Sequence, residues 1–193
     1  MDIRTIQTQD EEEIEQLIRA AFEQSDHGYN DEAKLVTNIR NSSGYVQDLE
    51  VVAVTESGKI VGHGLMSPCE VINEKGERFL GLVLAPLSVS VSYQSKGIGG
   101  EIVNELEKRA QKGNDRFVSI LGDPTYYARF HYVRASKYQI FSSDEVPDEA
   151  FMIKPLYAQA LQSVQGTLRY STAFELKFTM TIHLNRRVHL FSV

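Results

Sequence analysis

The chain of 193 residues is poor in cysteine, in positive charge and in long apolar runs, and each shortage narrows what it does. A single cysteine, Cys69, excludes an intramolecular disulfide and points to a reducing compartment, the cytoplasm. The formal net charge of −6 leaves no basic face for nucleic acid, whose phosphates dominate such binding. The longest apolar run, LGLVLAPLSVSV (Leu80 to Val91), has twelve residues, against the ~20 that a helix needs to cross a bilayer. The N-terminal stretch MDIRTIQTQDEEE lacks the basic and apolar blocks of a secretory signal. His63 and Cys69 are not joined by a further pair at metal-ligand spacing, so no metal is expected. No repeat or low-complexity linker interrupts the chain, which predicts one domain over residues 1–193.

The patterned segments are ordinary in kind and informative in order. A short strand over residues 2–7 leads to Thr8 and Glu11 at capping-box spacing. Ile14, Leu17, Ile18, Ala21 and Phe22 then form one helical stripe. The acidic run Asp10 to Glu13 reads as a solvated first turn favoured by the helix dipole. A second helix is expected from about Asp31 to Arg40, with Leu35, Val36 and Ile39 inward. LEVVAVTE and KIVGHGLMS read as a hairpin about Ser57-Gly58, and a turn at Asn73 to Gly76 opens a long strand, Phe79 to Val91.

A third helix follows with Ile98, Ile102, Val103, Leu106 and Ala110 on its buried face and Glu105 and Arg109 on its outer face. Lys112-Gly113 reads as its close, with a glycine past the last turn. After it come a buried strand (RFVSILG), a short helix (DPTYYARF) with Pro124 in its first turn, a strand over YVRASKYQIF and another over Phe151 to Tyr157. This order predicts a mixed α/β (α+β) fold on a mostly antiparallel sheet.

The stretch VSYQSKGIGGEIVNEL, Val91 to Leu106, is a glycine-rich turn that opens a helix. Unpaired amides and partial positive charge at a helix N-terminus attract phosphate, and glycine removes the Cβ that would block close approach. Two familiar phosphate loops are excluded. Lys96 precedes Gly97 and no Ser or Thr follows it, unlike a Walker A loop; counting from Gly97, the sixth position is Ile102, not the glycine of a dinucleotide fingerprint. In the strand before the turn, Pro86 lacks an N–H, which predicts a break or bulge where neighbouring strands part.

Gln94-Ser95-Lys96-Gly97-Ile98-Gly99 resembles the Q/R-x-x-G-x-G/A signature of the GNAT superfamily of acetyl-coenzyme A dependent N-acetyltransferases. The strand PLSVSVSY before it and LGDPTYYARFHY after the next strand support the match, and the LGDP-x-YY-x-RF form is similar to a bacterial branch of predicted acetyltransferases. The resemblance runs from the first strand to about Phe174. It implies the GNAT fold: a twisted mixed sheet whose two central strands splay apart, with helices on both faces. It implies acetyl-coenzyme A as cosubstrate and a primary amine of a small molecule or peptide as acceptor, attacked directly in a ternary complex.

By the same resemblance, the backbone of Leu87, Ser88 and Val89 pairs with the pantetheine arm, and the Val89 N–H faces the thioester oxygen. The N–H groups of Gln94, Ser95, Lys96, Gly97, Ile98 and Gly99 hold the pyrophosphate. Tyr127 matches the position of the proton donor to the leaving thiolate, with Tyr126 beside it as a pocket wall. Glu70 and Asp123 are open as bases for the amine, although Asp123 before Pro124 also suits a helix cap. The rival reading is a coenzyme A-binding sensor without turnover.

Three features depart from the pattern. His131 stands where relatives carry glycine, which suggests a left-handed turn residue. Cys69 beside Pro68 reads as a small buried hydrophobe. Beyond Phe174, residues 175–193 carry Leu176, Phe178, Met180, Ile182 and Leu184 at period two. That period predicts an extra strand that pairs with the sheet or with a second subunit as a homodimer.

Overall fold

The computed structural model describes residues 1–24, 28–174 and 191–192. The chain runs through β1 (Asp2–Thr5), α1 (Glu11–Glu23), α2 (Glu32–Arg40), β2 (Glu50–Val54), β3 (Ile60–Ile72) and β4 (Arg78–Val89). It continues through α3 (Ile98–Ala110), β5 (Phe117–Leu121) and α4 (Pro124–Ala128). The strands β6 (Val133–Arg134), β7 (Ile140–Ser142), β8 (Phe151–Pro155), β9 (Gly166–Tyr170) and β10 (Phe191–Ser192) follow. One sheet carries them in the order β1-β2-β3-β4-β5-β8-β6, with β9 paired to β3, β7 to β9 and β10 to β4. Most ladders are antiparallel, while β4–β5, β7–β9 and β4–β10 are parallel. This is the mixed sheet that the order of elements predicts.

Each face of the sheet is closed by a helix pair. The stripes of α1 and α2, including Ile14, Phe22, Val36 and Ile39, pack with Val52, Leu65 and Val71 in one core. The α3 stripe packs with Ala53, Val61, Leu87 and Val89 in the other, which also takes in Tyr127 and Tyr132. Two glycines of β3 seat α3. A Cβ on Gly64 would stand 2.5 Å from Ile102, and one on Gly62 would stand 2.8 Å from the same side chain. A larger residue at either position forces Ile102 or its neighbours to shift.

The long β4 is where the sheet opens. It pairs with β3 along its length, but its parallel pairing with β5 is confined to Leu82 and Val83. Between Gly64↔Leu87 and Met66↔Leu84 the register shifts, so that Leu65 faces both Ala85 and Pro86. The proline without an N–H therefore sits at a bulge, as expected; the Ala85–Pro86 peptide is cis. Past this point β4 and β5 part.

Several local expectations change. Helix α1 starts at Glu11, after a single 3-10 turn at Thr8–Asp10, and the reciprocal contact comes from Asp10, not from Thr8 and Glu11. Asp10 is buried: its carboxylate accepts 2.6 and 2.9 Å bonds from the Arg4 guanidinium and one of 2.8 Å from the Gln7 N–H. Glu13 likewise accepts the Ile60 N–H at 2.9 Å. The acidic run is thus partly inside, and Arg4 holds the Asp10 carboxyl below its ordinary pKa, chiefly by the hydrogen bond. The segment YVRASKYQIF is β6, a 3-10 turn at Ala135–Tyr138 and β7, not one strand, because Gln139 takes a positive φ of 56°. Helix α3 ends with Gln111 as its cap, and Gly113 is not left-handed.

Residues 175–190 and the period-two pattern from Leu176 to Leu184 lie outside the described residues. What is described beyond them is β10, whose Phe191 and Ser192 pair in parallel with Leu87 and Ser88.

Candidate active site

The gap between β4 and β5 leads to the glycine turn. Ser90 donates its N–H to Val61 O at 2.9 Å. Strand alternation therefore points the N–H and C=O of Val89 away from β3, into the gap, as it does those of Leu87. The same alternation turns the backbone groups of Ser88 toward β3. Gln94 Nε2 donates to Val89 O at 3.1 Å and ties the turn to the end of β4.

The turn itself relies on two left-handed residues, Ser95 with φ 60° and Gly97 with φ 87°. Gly97 caps α3, and the first intrahelical bond runs from Glu101 N–H to Gly97 O at 3.1 Å. The N–H groups of Ile98, Gly99 and Gly100 consequently have no acceptor within the helix, and no side chain caps them. Three amides and a helix dipole converge on one spot, which suits an anion.

Lys96 does not add its charge there. Its ammonium donates to Ser92 O at 2.9 Å and lies 4.8 Å from the centre of the Tyr93 ring. The sequence places the lysine beside the turn, but only the folded backbone shows that it points back along the chain.

In front of the turn lies a cleft of about 570 Å³. The end of β4 (Val89), the turn and α3 form one wall, and Tyr126, Arg129 and Phe130 form the other. The walls meet where a Cβ on Gly100 would stand 3.0 Å from the Phe130 ring. Tyr126 lines the cleft, whereas Tyr127 is 0 % exposed and packs edge-on against Tyr126 and Tyr132 at 5.0 and 5.7 Å. Burial raises both phenols, that of Tyr127 well above its ordinary value, so each keeps its proton at neutral pH.

A family profile described as an acetyltransferase (GNAT) domain matches residues 2–135. The chain belongs to the GNAT acetyltransferase family. It is an enzyme of the N-acetyltransferase class. YhbS of Escherichia coli K12, named an uncharacterized N-acetyltransferase, is 30% identical over 161 residues, 83% of this chain and 90% of its own. YjhQ of the same strain, named likewise, is 31% identical over 102 residues, 53% of this chain and 55% of its own. The crystal structure of E. coli YhbS in complex with CoA superimposes with TM-score 0.79 at 29% identity, covering 90% of this chain and 91% of that one. A GNAT family acetyltransferase from Brucella melitensis in complex with acetyl-CoA gives TM-score 0.71 at 27% identity, covering 90% and 97%.

Within this GNAT fold, the other sequence candidates fall into place as structure. Asp123 caps α4, its carboxylate accepting the Thr125 N–H at 2.7 Å. Glu70 pairs with Arg78 at 3.2 Å, away from the cleft. His131 has φ 66°, the left-handed turn that its place after Phe130 suggests. Cys69 is buried, with Ser119 Oγ 3.9 Å away, and burial pushes its thiol up, away from the reactive thiolate. Among the described residues no His, Cys, Asp and Glu gather as metal ligands, and no helix is long and apolar enough to cross a membrane.

The sequence reading missed a buried polar cluster behind β4. Glu50 is 0 % exposed and accepts from Arg40 (2.6 and 3.1 Å), Tyr45 Oη (2.7 Å) and His63 Nε2 (2.8 Å). A carboxylate only accepts, so Nε2 of His63 carries the proton. Burial pushes the Glu50 carboxyl up, but His63 and Arg40 outweigh it and hold it at about 2 against an ordinary 4.5. The cluster ties α2 and the following loop to β2 and β3, and His63 lies opposite Ser88 in the register.

Proposed function

We propose that the chain transfers the acetyl group of acetyl-coenzyme A to a primary amine by direct attack in a ternary complex. The observation that carries this is the cleft, where the gap-facing N–H of Val89 and the open amides of α3 lie along one wall. The diphosphate rests on the turn from Gln94 to Gly99, and the pantetheine arm takes the gap-facing edge of Leu87 and Val89 in place of Phe191 and Ser192, which pair with β4 there. The amine lone pair adds to the thioester carbon, and the oxyanion is held by the Val89 N–H. As the C–N bond forms and the C–S bond breaks, the ammonium proton passes to solvent or a base. Tyr127, a neutral phenol, gives the departing thiolate its proton and regains one from the ammonium by way of solvent.

The acceptor is a small-molecule or peptide amine met on the opposite side of the gap, on one domain over residues 1–193 acting in the cytoplasm. One observation favours the sensor reading, namely that Tyr127 is wholly buried and does not line the cleft. Thermal shift with acetyl-coenzyme A, ATP and NAD tests the ligand, and thiol release with a panel of amines tests turnover. Stabilisation by acetyl-coenzyme A with thiol release supports the enzyme; stabilisation without release on any amine supports the sensor.

A further inference from the structure

The glycine turn accounts for one anion in the cleft, and the facing wall is built for another. Among the described residues, Arg129 is the only basic side chain that lines the cleft. Its guanidinium carbon lies 4.4 Å from the centre of the Tyr126 ring and 5.7 Å from that of Phe130. Nε donates to the Tyr126 carbonyl at 3.2 Å. The rings thus lie against the guanidinium and the Tyr126 carbonyl takes one N–H of its five, while the side chain as a whole is exposed. Among the described residues no carboxylate pairs with Arg129, although Glu101 lines the same cleft. An arginine held over an aromatic ring, with its terminal nitrogens not paired to a carboxylate, is well formed for phosphate.

Coenzyme A has three phosphates. Two form the diphosphate bridge, which the amides of Ile98, Gly99 and Gly100 can hold without help from a side chain. The third is the dianionic 3′-phosphate of the ribose, beyond the diphosphate as seen from the thioester. Lys96 is turned away to Ser92, which leaves Arg129 as the cleft's cation for it. We propose that Arg129 anchors the 3′-phosphate and makes the cleft select coenzyme A over 3′-dephospho-coenzyme A. This rests on the coenzyme A reading of the cleft, and it assigns Arg129 to specificity and not to the chemical step.

Calorimetric titration of the full chain with coenzyme A and with 3′-dephospho-coenzyme A tests the assignment without an acceptor. The wild type binds coenzyme A about tenfold more tightly than the dephospho form, the loss expected for one charge-assisted contact. Arg129→Gln brings coenzyme A down to the affinity of the dephospho form and leaves the dephospho affinity unchanged. Arg129→Lys keeps part of the preference, because a point charge replaces the fork. Equal binding of both ligands by the wild type overturns the proposal while the coenzyme A reading stands. So does a preference that survives in Arg129→Gln, or an equal loss for both ligands, which would mean a general distortion of Tyr126. Failure of the wild type to bind either ligand overturns the proposal and the reading beneath it.

Discussion

Replacing Glu50 by glutamine separates the charge of the buried cluster from its shape. The carboxyl titrates at about 2 in the fold against an ordinary 4.5, and at about 1.4 kcal/mol per pH unit this is linked to about 3 kcal/mol of stability. The sign follows from the direction. A depressed carboxylate contributes fully above its unfolded pKa and loses that contribution as pH falls toward the folded one. The loss therefore runs from about pH 4.5 down to about pH 2, and about 2 kcal/mol of it is gone by pH 3.

Glutamine keeps the volume but leaves Arg40 facing a neutral group, so the variant is less stable at pH 7 by about 3 kcal/mol or more. At low pH the protonated wild type comes to resemble it, and the gap between the two closes. The chain has no tryptophan, so urea unfolding is followed by far-ultraviolet circular dichroism at pH 7 and pH 3. Comparing the two proteins at each pH cancels the titration of other carboxylates, Asp10 among them. A gap that is the same at pH 3 as at pH 7 refutes the electrostatic account and makes the cluster a matter of packing alone.

Tyr127→Phe lowers thiol release by about a hundredfold or more, the worth of a general acid, while acetyl-coenzyme A affinity measured by calorimetry stays nearly unchanged; unaltered turnover removes the residue from the reaction. Phe191 and Ser192 share an edge of β4 with the proposed pantetheine arm, so ending the chain after Phe174 tightens coenzyme A binding by about two- to tenfold. Equal or weaker binding by the shortened chain counts against that competition. Gly81→Ala places a Cβ 2.4 Å from the Phe117 ring, a clash just before the first β4–β5 pair that costs about 1–3 kcal/mol. In a Phe117→Leu background the same change is nearly neutral by urea unfolding, and an undiminished cost would show that the ring is not the obstacle.

The features legible in the sequence are those set by near neighbours. The α1, α2 and α3 stripes follow from a period of 3.6, and Ile14, Leu35 and Ile102 are buried where that period places them. Asp123 before Pro124 caps its helix, and His131 takes the left-handed turn. Pro86 marks the bulge because a missing N–H is a property of one residue. The glycine turn, set between that proline and PTYYARF, was enough to point to the family.

What the sequence could not carry depends on groups brought together from far along the chain. Asp10 reads as one of four solvated acids, but β1 brings Arg4 against it, and Lys96, beside the glycine turn, spends its ammonium on Ser92 O. Glu50, a lone acid before an apolar strand, meets Arg40, Tyr45 and His63 only across two strands and a helix. Tyr126 and Tyr127 are adjacent and alike in sequence, yet α4 sends one to the cleft and the other into the core. Hydrogen-bonding capacity, backbone freedom and apolar period are written residue by residue and determined the elements and the glycine-rich turn. Desolvation and pairing are sums over neighbours in space, so only the tertiary structure decided which charges are buried, which are spent and which face the ligand.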